Sequence, residues 1–150
     1  MKTVFVIQGP NLNLLGAREE NYYGRVSLDE LHKDLAKTGG ELGLQVDFFQ
    51  SNHEGELVEI IQKAKNRADY LIINAGAYTH TSIAIRDALL AVGIPALEVH
   101  ISNIYKRESF RHKSFLADVV QGQICGLGIL GYHLAVRAAA HYLKQGGGTA

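Results

Sequence analysis

The 150-residue chain has one cysteine, Cys125, no tryptophan and two prolines. A single thiol cannot close an internal disulfide, which excludes a disulfide-stapled scaffold and suits a reducing compartment. Neither sign of charge is in surplus, since 15 Lys and Arg stand against 15 Asp and Glu. A partner such as nucleic acid or an anionic membrane surface calls for a basic excess, so neither is expected. No stretch approaches the roughly 20 apolar residues of a membrane span. The N-terminal run, MKTVFVIQGPN, is too short in apolar residues for a signal peptide. There is no Pro/Ser-rich linker, low-complexity tract or internal repeat. What is present, 47% hydrophobic and 20% charged residues, is the composition of an ordinary folded chain. A single domain over residues 1–145 is expected, in the cytoplasm, with a disordered glycine-rich tail over 146–150.

Along the chain, short apolar runs alternate with helical periods. Thr3–Gln8 is a β-branched run that ends on the turn signal Gly9-Pro10-Asn11. Ser27 with Glu30 forms a capping box, and Leu28, Leu31, Leu35 and Leu42 follow as one helical stripe, with an interruption expected at Gly39-Gly40. Leu44–Gln50 is a second strand, and Glu54–Asn66 a second helix with Leu57, Ile60, Ile61 and Ala64 inward. Tyr70–Asn74 is nearly all apolar, as a central parallel strand buried on both faces should be. Thr81 or Ser82 opens a helix that Gly93 ends. Ala96–His100 and Val119–Cys125 supply two more strands. A last helix over about Ile129–Lys144 offers Leu130, Leu134, Ala138 and Leu143 as its inner stripe. Five alternations predict an α/β fold: a flavodoxin-like, doubly wound, five-stranded parallel sheet of order 2-1-3-4-5, with helices on both faces.

Such a sheet keeps its site at the carboxyl ends of its strands. Three segments leave that edge. The first, Gly9–Val26, is long for a connection without its own helix or strand, and long loops in compact domains are usually functional. Its mixture of apolar anchors, glycines, Arg18 and the pair Tyr22-Tyr23 is that of a lid over a site. The second, Asn74 to Ser82, is a small-residue turn entering a helix, a natural place for an anion, with Asn74 and His80 as side-chain donors. The third begins with Glu98 and His100. Alternation along a strand puts both on one face, and a carboxylate beside an imidazole sets its tautomer and favours the protonated ring that a proton donor needs.

The remaining candidates carry less. His32, His53, His112, His133 and His141 show no zinc-site spacing, so no metal is expected. Cys125 lies in an apolar strand and reads as a core thiol. Ser82 lacks a Gly-x-Ser-x-Gly elbow. No lysine lies in the turns after the first or third strand, which weakens a Schiff-base mechanism. The alternative from another class is a flavodoxin-like binding or signalling module. A phosphoacceptor receiver needs acids where Gln8-Gly9-Pro10 and Asn74 stand, and a flavin carrier needs a Ser/Thr-rich loop where the apolar GPNLNLLG stands.

Four stretches together resemble the type II 3-dehydroquinate dehydratases over residues 3–143. They are Gly9–Gly16 with Arg18 and Tyr23-Gly24, then Asn74–Leu89, then Glu98–Arg111, and last Gly126–Gly128 with Gly131-Tyr132. The resemblance implies dehydration of 3-dehydroquinate to 3-dehydroshikimate by anti elimination through an enolate, without cofactor or metal. It implies Tyr23, the tyrosine that immediately precedes a glycine, as tyrosinate base, and Arg18 as the cation that favours its ionisation. His100 is then the acid that protonates the departing hydroxyl, Glu98 orients it, and Asn11 holds a water near the enolate oxygen. Asn74, His80, Ile101, Ser102 and Arg111 match substrate-binding positions. Asp87 matches a residue that reaches the site from a neighbouring subunit, which implies a homo-oligomer, a dodecamer built from trimers. The pathway implied is aromatic amino acid biosynthesis or quinate breakdown.

Overall fold

The computed structural model describes residues 1–17 and 25–146. Arg18 and Tyr23, and the tail beyond Gly146, lie outside the described residues. Five strands, β1 (Lys2–Gln8), β2 (Leu44–Gln50), β3 (Tyr70–Asn74), β4 (Ala96–His100) and β5 (Gly122–Cys125), form one parallel sheet of order β2-β1-β3-β4-β5. The switch in strand order falls between β1 and β3, where Gln8 and Asn74 are register partners at the carboxyl edge.

Among the described residues four α-helices cover the sheet: α1 (Leu28–Glu41), α2 (Glu54–Ala64), α3 (Ile83–Val92) and α4 (Leu130–Lys144). The alternation of side chains sorts each strand between two cores. Val4, Val6, Tyr70, Ile72, Leu97 and Val99 pack with Leu31 and Leu35 of α1 and with Tyr132, Ala135, Val136, Ala139 and Ala140 of α4. Phe5, Ile7, Leu71, Ile73 and Ala96 pack with Leu57, Ile60 and Ile61 of α2 and with Ile85, Ala88 and Leu89 of α3. The two faces matter for the site, because each delivers different chemistry to the edge.

The caps follow the local sequence. Ser27 Oγ accepts from the Glu30 amide at 3.1 Å, and Ser82 Oγ from the Ile85 amide at 2.9 Å, so Ser82 and not Thr81 opens α3. Gly93, at φ 64°, closes that helix in the left-handed region.

Several expectations need correction. The first helix is not interrupted at Gly39-Gly40 but runs through to Glu41. Gly39 is a packing residue there: a Cβ on it would stand 2.3 Å from Val46 Cγ2, so its absence lets α1 lie close on β2. The inner stripe of α4 keeps Ala138 and Leu143, which pack against the core, but not Leu130 and Leu134. Leu130 and Leu134 are 55% and 37% exposed, and the buried face is Gly131, Tyr132, Ala135, Val136, Ala139 and Ala140. Small side chains seat this helix against the sheet, and hydrophobic size alone points to the wrong side. The fifth strand starts at Gly122, because Val119 and Val120 instead bond back to Leu116 in a turn. The segment after β1 holds a short 3-10 turn, Leu12–Leu14, where no element was expected.

Candidate active site

On the α2/α3 face of β4, Glu98 and His100 stand side by side at the carboxyl edge. Glu98 is completely buried and His100 is 5% exposed. Their side chains meet at 2.5 Å, from His100 Nε2 to Glu98 Oε2. A carboxylate accepts only, so the proton of this bond sits on Nε2 and the Nδ1 edge of the ring is left for the pocket. The Ser114 hydroxyl donates to both Glu98 oxygens at 2.9 Å. Burying a carboxylate without such partners costs several kcal/mol of desolvation.

The His80 ring lies 6.4 Å from that of His100, with 22° between their planes. It comes from a 3-10 turn, Gly76–His80, that precedes α3. Its Nδ1 bonds the Lys113 carbonyl at 2.8 Å, so Nδ1 is the donor and Nε2 the free acceptor of the neutral ring. Burial holds the His80 imidazole below its ordinary value. The neighbouring His100 and Arg111 act in the same direction, opposed by the Lys113 carbonyl and Glu98.

Alternation with Val4, Val6, Tyr70 and Ile72 places Gln8 and Asn74 on the opposite, α1/α4 face. There the buried phenol of Tyr132 ties them together. Asn74 Nδ2 donates to Tyr132 Oη at 2.7 Å, and Tyr132 Oη donates to Gln8 Oε1 at 2.8 Å. Asn74 Oδ1 accepts from the Gly76 amide at 3.1 Å. These bonds fix which way the Asn74 amide points and leave its second N–H hydrogen as the group available to a ligand. Gln8 Nε2 is buried with no partner among the described residues.

The turn after β1 is pressed onto the turn after β3. The Gly9 amide donates to the Asn74 carbonyl at 2.7 Å, and a Cβ on Gly9 would stand 2.4 Å from the Ala75 oxygen. Only glycine fits that approach. Asn11 follows at φ 70°, a left-handed conformation that asparagine tolerates. Its amide donates to Asn52 Oδ1 at 2.9 Å.

One pocket collects these groups. Asn11, Asn74, His80, His100, Ile101, Ser102 and Arg111 all line it, with Leu12, Leu15 and Arg107. Arg111 is held by Glu108, whose carboxylate lies 3.3 Å from Arg111 Nε. Glu98 sits behind His100 and does not reach the lining. Asp87 does not belong to this pocket either; it lies on the exposed side of α3. Gly76 and Ala77 of the 3-10 turn line the pocket, and Ser82 caps α3 beyond them. Cys125, the register partner of His100, is half-buried, and burial with Glu98 nearby pushes its thiol up to about 11. Among the described residues no group of three or more His, Cys, Asp and Glu side chains could hold a metal ion, and no helix is long and apolar enough to cross a membrane.

Sequence reasoning missed three supporting groups. Nothing in the spacing ties Ser114 to Glu98 or the Lys113 carbonyl to His80. Tyr132 left a usable signal, since a phenol among the small residues of a buried helix face must find a hydrogen-bond partner.

The model of the family described as Dehydroquinase class II matches residues 2–140. The chain belongs to the class II dehydroquinase family. A protein of Prochlorococcus marinus (strain NATL1A) named 3-dehydroquinate dehydratase is 53% identical over 142 residues, which cover 95% of this chain and 98% of that one. Another of that name from Pelotomaculum thermopropionicum is 54% identical over 137 residues, which cover 91% of this chain and 95% of that one. The crystal structure of type II dehydroquinase from Propionibacterium acnes superposes with a TM-score of 0.90 at 43% identity, covering 94% of this chain and 97% of that one. The five-stranded order 2-1-3-4-5 is thus the class II dehydroquinase fold, and the chain is a lyase of that family.

Proposed function

We propose that this class II dehydroquinase removes water from 3-dehydroquinate to give 3-dehydroshikimate, by anti elimination through an enolate. The observation that carries the reading is the buried Glu98–His100 pair, whose imidazole faces a pocket lined by Asn11, Asn74, His80 and Ser102, by the cations Arg107 and Arg111, and by apolar Leu12, Leu15 and Ile101. Tyr23 as tyrosinate takes the proton beside the ketone, and the electron pair left behind becomes the enolate. A free tyrosine has a pKa of about 10, so the cation of Arg18, on the same segment of the sequence, serves to favour the phenolate. Asn11 orders a water at the enolate oxygen, where negative charge develops. The enolate then collapses, the carbon–oxygen bond to the hydroxyl breaks, and His100 supplies the proton that makes the leaving group water. Glu98 orients the ring for that transfer.

Asn74, His80, Ile101, Ser102 and Arg111 hold the substrate. Ser102 and backbone amides take its carboxylate and Arg111 a ring hydroxyl. Asp87 acts on the pocket of a neighbouring subunit in a dodecamer built from trimers, in keeping with its exposed place on α3. No cofactor takes part. The enzyme works in the cytoplasm, in aromatic amino acid biosynthesis or quinate breakdown.

The test is turnover of 3-dehydroquinate, followed by absorbance of the conjugated enone product, before and after borohydride treatment in the presence of substrate. Activity that survives borohydride is expected. Inactivation would mean a Schiff-base lysine and would overturn the mechanism, whereas no turnover in the assembled protein would favour a ligand-binding module.

A further inference from the structure

We infer that Ser114, which lies outside the pocket lining, is a positioning residue that sets the orientation of Glu98 and, through it, of His100; the inference rests on the reading of His100 as proton donor. A serine hydroxyl has one hydrogen and two acceptor lone pairs. At Ser114 both lone pairs are taken, by the Leu116 amide at 3.0 Å and the Ala117 amide at 3.1 Å. The hydrogen is therefore committed to Glu98, whose two oxygens both lie 2.9 Å away.

The hydroxyl is itself held in place. The Phe115 amide donates to the Thr79 carbonyl at 2.9 Å, and Arg86 Nη1 donates to the Phe115 carbonyl at 2.8 Å. Arg86 also pairs with Asp118, and Leu116 is fully buried in the core under α2 and α3. Segment 113–118 is thus anchored at both ends and in the middle. Its first two residues serve the two site histidines separately: the Lys113 carbonyl holds His80, and the Ser114 hydroxyl holds the carboxylate that holds His100.

Among the described residues Glu98 has no other polar contact to replace Ser114. Its oxygens bond His100 and Ser114, and its register partners in the sheet are Ile73 and Gln123. Without the serine hydrogen the carboxylate keeps one bond, to His100, and can rotate with it. A proton donor that drifts from its productive geometry loses rate while substrate contacts made by other residues persist.

The experiment compares wild type with Ser114→Ala, Ser114→Thr and Ser114→Cys in turnover of 3-dehydroquinate, with histidine ring nitrogens followed by NMR. In Ser114→Ala, kcat is expected to fall about tenfold to a hundredfold with KM little changed. The His100 Nε2–H signature should shift or broaden, and the His80 Nδ1–H signature should stay. Threonine, which keeps the hydroxyl, should restore both kcat and the His100 signature. Should the alanine variant not fold, Ser114→Cys carries the test, because a thiol is a weak donor and a lowered kcat is expected. A lowered melting temperature with unchanged kcat and an unchanged His100 signature would overturn the inference and leave Ser114 as a turn cap only. His100→Ala in the same assay keeps the two questions apart. Full turnover there would sink the proton-donor reading, while the NMR result still decides whether Ser114 governs the His100 ring.

Discussion

Glu98 Oε2 and His100 Nε2 lie 2.5 Å apart inside the protein, with Glu98 sealed from solvent and the far edge of the imidazole on the pocket wall. The relationship is a direct product of strand alternation: residues two apart on β4 share a face, and this face meets segment 113–118 and His80. The pair sets one nitrogen of His100 as permanent donor to the carboxylate and reserves the other for chemistry.

Glu98→Gln should therefore damage turnover more than binding. The amide can donate to His100 Nε2, which reverses the tautomer. We expect kcat to fall by about a hundredfold or more, with product affinity measured by calorimetry little changed. Near wild-type kcat would show that the carboxylate charge is dispensable.

Tyr132→Phe should act on binding instead. Loss of the phenolic oxygen leaves Asn74 Nδ2 and Gln8 Oε1 without their buried partner. The fold should lose about 1–3 kcal/mol, read as a lower urea midpoint. Asn74 loses its fixed orientation, so KM should rise about tenfold, the equivalent of about 1.4 kcal/mol, while kcat changes little. An unchanged KM would show that Asn74 needs no such support.

The histidines carry a pH dependence with a definite sign. Burial lowers the folded-state values of both His32 and His80. The unfolded chain therefore binds these protons first as the pH falls below about 6.5. Their stabilising contribution is present above that pH and is lost as acid protonates them in the fold. Histidine NMR titration should place His80 below the free value, and melting temperature should fall between about pH 7.5 and 5.5. A His80 value above that of free histidine would contradict the assignment.

Cys125 should be inert although it neighbours the site. With its thiol raised to about 11, almost none is thiolate at neutral pH, and the thiolate is the reactive form. Aromatic disulfide reagents should label the native protein slowly, and Cys125→Ser should keep its turnover. Rapid labelling that inactivates the enzyme would show a reactive thiol.

Much of this architecture is legible in the sequence. The bounds of β2, β3 and β4 follow from apolar runs between turn signals, and the face shared by Glu98 and His100 follows from a period of two. The buried side of α4 escapes such a reading because Gly131, Ala135, Ala139 and Ala140, which carry little hydrophobic signal, make up most of it beside Tyr132 and Val136, while Leu130 and Leu134 point outward. Gly39 reads as a helix breaker because its close approach to Val46 is a tertiary fact. The supports of the site are hidden for the same reason: Ser114 is 16 residues from Glu98 and Tyr132 is 58 from Asn74, and only the fold brings them together.

The measurement that bears most directly on the account is turnover of 3-dehydroquinate by His100→Ala, with product binding followed in parallel. General acid catalysis contributes about a hundredfold to ten-thousandfold. The account predicts a loss of kcat in that range with binding and fold preserved. Turnover within a few-fold of wild type, in protein that still binds product, would show that the buried pair does not deliver the proton.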